Sequence, residues 1–359
     1  MSFENAKLIW ELRWDVDWVT AVQFIGSSRR VVAGNRRGNM MEWDLPEKLE
    51  GDAPDPVRFY EGHSNSVTKL RCIKDGSTLY SSSFDHSIRE WDMNAKDQGE
   101  TKVVLNEGYI YQSQFKRYSK KQEPLECDVA LRKESRKLDG HNEWVNVLEL
   151  SKDEKTLVSG DDGGKVVFRE RGSGKIQKSW EVEGWVHSLA LSPDSNQALI
   201  SERRPLVFDS AQRRALKLWD VTEAKSTKDL SEQFKKMYLP ALGWSPDGKT
   251  MLVGRGEEEE GKIWMLDAKT GEKIMELEDK HQYGVTEFLF HPDGKHFFSA
   301  GRDTVIRVWN LEDGKLVKKL GEPRGGQFKD WIHAIDISAD GKLLAAADMA
   351  GQVNIWELV

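Results

Sequence analysis

One unit recurs along the chain: an apolar-x-x-apolar-x-apolar strand, a tight turn, a second apolar strand, another turn, and a third strand that closes on Trp or a substitute. The clearest copy runs from Val285 to Asn310, VTEFLFHPDGKHFFSAGRDTVIRVWN. Its first turn is Pro292-Asp293-Gly294, where Pro presets φ and Gly accepts the positive φ that a hairpin demands. Equivalent turns stand at Lys74-Asp75-Gly76, Pro193-Asp194-Ser195, Pro246-Asp247-Gly248 and Ala339-Asp340-Gly341. Trp43, Trp91, Trp219, Trp309 and Trp356 close five units, and Arg169 and Leu266 take that place in two more, which makes seven. Repeat architectures run as one domain well past the ordinary size limit, so the length of 359 residues does not by itself demand a division.

Seven copies in register resemble the WD-repeat (Trp-Asp repeat) family, whose signature is Gly-His before the first strand and Trp-Asp closing the third. The resemblance covers nearly the whole chain and implies an all-β fold, a seven-bladed β-propeller forming a single domain over residues 1–359. In that family a His, a Ser, an Asp and the Trp form a hydrogen-bonded tetrad within a blade. Carried over residue by residue, the tetrads are His63, Ser81, Asp85 and Trp91 in the second unit, and His281, Ser299, Asp303 and Trp309 in the sixth. Buried polar groups need partners, and a satisfied network rigidifies the blade edge. Elsewhere the pattern decays: Arg37, Gly163 and Ala350 occupy the tetrad Asp position in the first, third and seventh units. Those blades are expected to lean on apolar packing instead.

A propeller whose last blade lacked an outer strand would present an open edge. The last unit ends just after its Trp356 strand, while a strand-like segment near 8–12, Leu8-Ile9-Trp10-Glu11-Leu12, precedes the first unit. It is expected to complete the last blade and close the ring. One region breaks the period, because a repeat of about 40 to 45 residues cannot by itself span Trp91 to Arg169. Near 106–137 the sequence reads as an inserted β-hairpin with its tip near Lys121 to Pro124, or alternatively as a degenerate eighth blade. The charged run Arg117-Tyr118-Ser119-Lys120-Lys121-Gln122-Glu123 favours the hairpin, since inner blade strands are buried on both faces and charge there is costly.

Composition narrows the function classes. No apolar run is long enough to cross a bilayer, and Met1 to Leu12 lacks the basic start and apolar stretch of a secretory signal, so a cytoplasmic protein without membrane partners is expected. Cys72 and Cys127 are too few for a disulfide framework. A formal net charge of −7 disfavours sequence-independent nucleic-acid binding, which rests on phosphate neutralisation. Of eight histidines, none forms a His-Glu-x-x-His motif, and His291 and His296 straddle a hairpin turn with no further ligands to complete a metal shell. Gly243 to Thr250, GWSPDGKT, matches a phosphate loop by letter, but its Pro-Asp-Gly is the hairpin turn of the sister units. No metal, no cofactor and no catalytic residue is expected.

The residue just before the first apolar position of each unit is Trp18, Ser66, Trp144, Trp185, Tyr238, Gly284 and Trp331 in order. In the WD-repeat family these loops gather on one face, the top. Five large aromatics on one face suit a binding surface; the plainer reading is that each ring packs on a neighbouring blade. A long loop of the fourth unit carries Leu206, Val207 and Phe208 between arginine pairs, an apolar tip rimmed by charge. The sequence therefore reads as a non-catalytic scaffold that binds a protein or peptide partner through its top face, as a component of a larger complex. One alternative is an enzyme at the channel mouth using Asp17, His187, His333 and Asp330. The other is nucleic-acid contact through the inserted hairpin, where Tyr109, Tyr111, Phe115 and Tyr118 interleave with Lys116, Arg117, Lys120 and Lys121.

Overall fold

Strand follows strand around a ring of seven sheets, and the only helical element among the described residues is one 3-10 turn, Ser231–Phe234. The computed structural model describes residues 3–14, 17–105, 125–204, 214–256, 260–323 and 331–359. The three inner strands of each blade form an antiparallel meander; the third blade runs Val145–Leu150, Thr156–Asp161, Lys165–Glu170 and Ile176–Glu181 from the axis outward.

The turn between the first two strands of a blade is built the same way in several copies. Ser151, Ser192, Ser245 and Ser338 each donate to an Asp two residues on, at 2.6–2.7 Å, and each accepts the backbone N–H five residues on at 2.9 Å. The Ser-x-Asp pattern thus satisfies the turn locally, as short polar side chains do in Asx and Ser turns. GWSPDGKT is one of these turns, joining strand Ala241–Trp244 to strand Thr250–Gly254. At Gly26 and Gly76, both with positive φ, the turns of the first two blades touch; a Cβ on Gly26 would sit 2.7 Å from the Gly76 Cα.

A single blade cannot bury both of its faces, and the apolar residues sort accordingly. Among the described residues there are seven buried clusters, one at each junction of neighbouring blades. Between the first and second blades, for example, Val32 and Met40 meet Leu70, Leu79 and Trp91. The second strand carries a small residue where the next blade approaches, so that Val67 sits over Gly34 and Val186 over Gly160. Because every sheet is sandwiched between two others, the arrangement is stable only as a closed circle.

Closure is made by the N-terminal strand. Lys7–Arg13 pairs antiparallel with Gln352–Glu357, outside the strands Leu343–Asp348 and Ile332–Ile337 of the seventh blade. Trp10 and Leu12 point into the cluster between the seventh and first blades, while Glu11 between them is exposed. Phe3 extends the seam, wedged edge-on against His291, His296 and Phe298 at 5.0–5.9 Å. His296 also holds Asp293 at 2.7 Å, so this histidine pair fixes a turn.

Among the described residues, the excursion after Trp91 makes no eighth blade. Strands Glu100–Leu105 and Leu125–Lys133 pair antiparallel, and the second runs parallel to Arg58–Glu61, the outer strand of the first blade. The first blade is therefore six-stranded, and the chain returns as the three-residue strand Arg136–Leu138 to finish the second. The expected tip near Lys121 to Pro124 lies outside the described residues.

Candidate protein-binding face

Two full tetrads are made. Trp91 Nε1 donates to Ser81 Oγ at 2.8 Å, Ser81 meets His63 Nε2 at 2.7 Å, and His63 Nδ1 meets Asp85 at 2.8 Å. In the sixth blade Trp309, Ser299, His281 and Asp303 repeat the chain at 2.9, 2.7 and 2.8 Å. Burial pushes both imidazoles below their ordinary range, so each is neutral, with Nδ1–H donating to its carboxylate.

The decayed blades do not rely on apolar packing alone. In the third, Asp161, two residues ahead of Gly163, meets His141 at 2.6 Å and accepts the Gly163 and Lys165 backbone N–H groups at 2.9 Å each. Ser159 holds the other face of His141 at 2.7 Å. Asn35 in the first blade and Asp348 in the seventh accept two turn N–H groups from the same position. The polar anchor has moved from the turn to the end of the second strand.

That strand end also organises the top face. The residue that follows it donates its N–H to the carbonyl of the residue preceding the inner strand: Arg36 to Trp18, Asp162 to Trp144, Met349 to Trp331. Each inner-strand aromatic therefore stands beside a second-strand terminus. Arg36 lies 4.5 Å over the Trp18 ring, Arg302 4.3 Å over Trp331, Arg203 5.7 Å over Trp185 and Arg214 5.5 Å over Tyr238. Phe84 of the second blade stacks on Trp144 of the third at 4.6 Å, and Trp144 remains 45% exposed. The other four rings are half-buried. The face thus offers flat π surfaces interleaved with guanidinium groups.

Four stretches of the chain, residues 54–92, 132–168, 271–310 and 314–357, match the WD40 family, described as WD domain, G-beta repeat. The chain is a WD-repeat β-propeller. The rice small ribosomal subunit protein RACK1y is 24% identical, over 99% of this chain and 96% of its own length. Subunit I of eukaryotic translation initiation factor 3 from Drosophila virilis is 23% identical, over 72% of this chain and 68% of its own. An uncharacterized WD repeat-containing protein of Schizosaccharomyces pombe is 22% identical over 76% of this chain, which spans 46% of that relative.

Inside the propeller the inner strands line an axial channel. Thr20, Thr68 and Asn146 each donate to a backbone carbonyl of the next blade, at 2.5, 2.6 and 3.1 Å, and so stitch blades together around the mouth. Lower down, Lys69 and Glu287 pair across the channel, and Arg71 grips Glu149 through two bonds of 2.6 and 3.1 Å. Asp336 accepts from Gln23 and from the Phe24 N–H at 2.7 Å each, and burial pushes its carboxyl up to about 7.

His187 bonds the Tyr238 hydroxyl, and His333 lies 5.9 Å from the Trp18 ring, stacked. Burial and nearby cations lower both imidazoles to about 4, which leaves them neutral. Asp17 is occupied by Arg37 at 3.0 Å and the Trp18 N–H at 2.8 Å. Asp330, the loop residues Leu206, Val207 and Phe208, and the aromatic and basic residues of the inserted hairpin lie outside the described residues. Among those described, no cluster of His, Cys, Asp and Glu could hold a metal ion, and no helix is long and apolar enough to cross a membrane.

The arginine column escaped the sequence reading. In four of seven units an arginine stands at the end of the second strand: Arg36, Arg255 and Arg302 follow it, and Arg203 is its last residue. Reading down that column as well as the aromatic one would have found them.

Proposed function

We propose that this propeller is a non-catalytic scaffold whose top face docks a protein or peptide partner within a larger assembly. The observation that carries the reading is Trp144, a large ring left 45% exposed on a stack with Phe84, at the end of a face where four further aromatics carry guanidinium groups. Rigid aromatics beside Arg supply contact area at little rotamer cost and are enriched among binding hot spots. Leu206, Val207 and Phe208 belong to the same proposed surface. The names of the rice and fruit-fly relatives, a ribosomal subunit protein and an initiation-factor subunit, describe members of multi-protein assemblies and support the same role here.

A crosslinking pull-down from the native source, repeated with Trp144→Ala and Trp185→Ala, tests it. The expected result is loss of partners that a distant exposed change, Lys249→Ala, retains; retention of every partner by both tryptophan variants overturns the proposal.

A further inference from the structure

At the bottom of the junction between the first two blades, opposite the aromatic face, lies a polar cleft of about 470 Å³. Four cations reach it from four separate segments. Arg30 begins the second strand of the first blade, and Arg58 begins its outer strand. Lys96 sits in the chain leaving the second blade, and Arg132 comes from the inserted strand Leu125–Lys133. The cleft therefore exists only because the excursion from the second blade returns to the first.

Its arginines are held from behind. The fully buried Glu42 accepts from Arg30 Nε at 2.5 Å, from Arg58 Nη1 at 2.9 Å and from the Tyr60 hydroxyl. Asp97 accepts from Arg58 Nε and Arg132 Nη2, each at 3.0 Å, and the Met93 and Ala95 carbonyls take further Arg132 donors at 3.0 Å each. Bonds of this kind fix guanidinium geometry before any ligand arrives. They do not exhaust the donors. Arg132 Nε is buried without a partner, and Arg30 Nη2, Arg58 Nη2 and Lys96 Nζ have none among the described residues. The four cations face three carboxylates, Glu42, Asp97 and Asp44, of which the first two are already committed.

We infer that this cleft is an anion site for a phosphate monoester group, with Arg30, Arg58, Arg132 and Lys96 as its donors. A planar carboxylate is saturated by one bidentate guanidinium, whereas a tetrahedral dianion sends oxygens in several directions and suits cations converging from four segments. The group can arrive on a small phosphorylated molecule or on a phosphorylated side chain of a partner, and the cleft has the size of a small-molecule site.

Isothermal titration of the full chain at pH 7.5 with phenyl phosphate, with a phosphoserine peptide and with acetate tests the assignment. Saturable binding of either phosphate probe is expected, weakened about tenfold or more by Arg58→Gln and several-fold by Lys96→Ala. Affinity should fall again at pH 5.5, where the monoester loses its second charge. Tighter binding of the peptide assigns the group to a partner's side chain, and tighter binding of phenyl phosphate assigns it to a small molecule; both uphold the site. Lys96 is exposed and has no hydrogen-bond or ion-pair partner among the described residues, so its variant reports even if Arg58→Gln is unstable. Absence of saturable binding, equal binding of acetate, or affinity that survives Lys96→Ala together with Arg58→Gln overturns it.

Discussion

If the ring depends on its N-terminal strand, the inward side chains of that strand should matter far more than the outward ones. Trp10 is 3% exposed and packs in the cluster between the seventh and first blades, with its indole N–H on the Gly51 carbonyl at 3.2 Å. Truncating a buried aromatic to Ala costs about 3–5 kcal/mol through lost transfer energy and the cavity left behind. With an unfolding entropy of roughly 2.1 cal/mol/K per residue, a chain of 359 residues loses about 0.75 kcal/mol of stability per degree near its midpoint. Trp10→Ala should therefore lower the melting temperature by about 4–7 °C. Glu11→Ala, one position along and exposed, should stay within about 1 °C, as surface changes do. Differential scanning calorimetry of the three proteins at one pH and concentration decides the matter. Equal melts for Trp10→Ala and the parent would mean that the strand does not fasten the ring.

Two further outcomes follow from the polar interior. Ser299→Ala strands two buried atoms, Trp309 Nε1 and His281 Nε2, and should cost about 2–4 kcal/mol, while Ser159→Ala strands only His141 Nε2 and should cost about half as much. Equal losses in urea unfolding would contradict the role assigned to the tryptophan bond. Asp336, pushed up to about 7 by burial, binds its proton more tightly folded than unfolded, so stability falls as pH rises from about 4 through 7. Asp336→Asn should flatten that slope, checked by melting curves at pH 5 and pH 7.5; parallel profiles for the two proteins would count against the assignment.

What was legible in the sequence was what repeats. The period, the turns centred on Asp75, Asp194, Asp247, Asp293 and Asp340, the closing tryptophans and the spare strand at Leu8 to Leu12 all carry local chemistry that a single chain displays. The tetrads at His63 and His281 could be placed because each member holds its own fixed position in the unit. Asp161 could not be placed that way, since a carboxylate two residues early reaches the same histidine by a different path. The docking of Leu125–Lys133 on Arg58–Glu61 is a parallel pairing between distant segments, and no turn or period announces it. The cleft beneath it was hidden for the same reason, because Arg30, Arg58, Lys96 and Arg132 share no spacing.

The pairing of Lys7–Arg13 with Gln352–Glu357 carries a consequence for biosynthesis. The segment translated early must wait, its apolar side unprotected, until the strand it clasps leaves the ribosome. At about 5–20 residues per second that interval lasts tens of seconds. Throughout it the nascent ring stands open at one seam, with the Trp10 side of the first segment and the facing surface of the first sheet both wet. A holding chaperone that shields aromatic β-segments would find its target there, and would be dismissed by the arrival of residues 352–357 and nothing earlier.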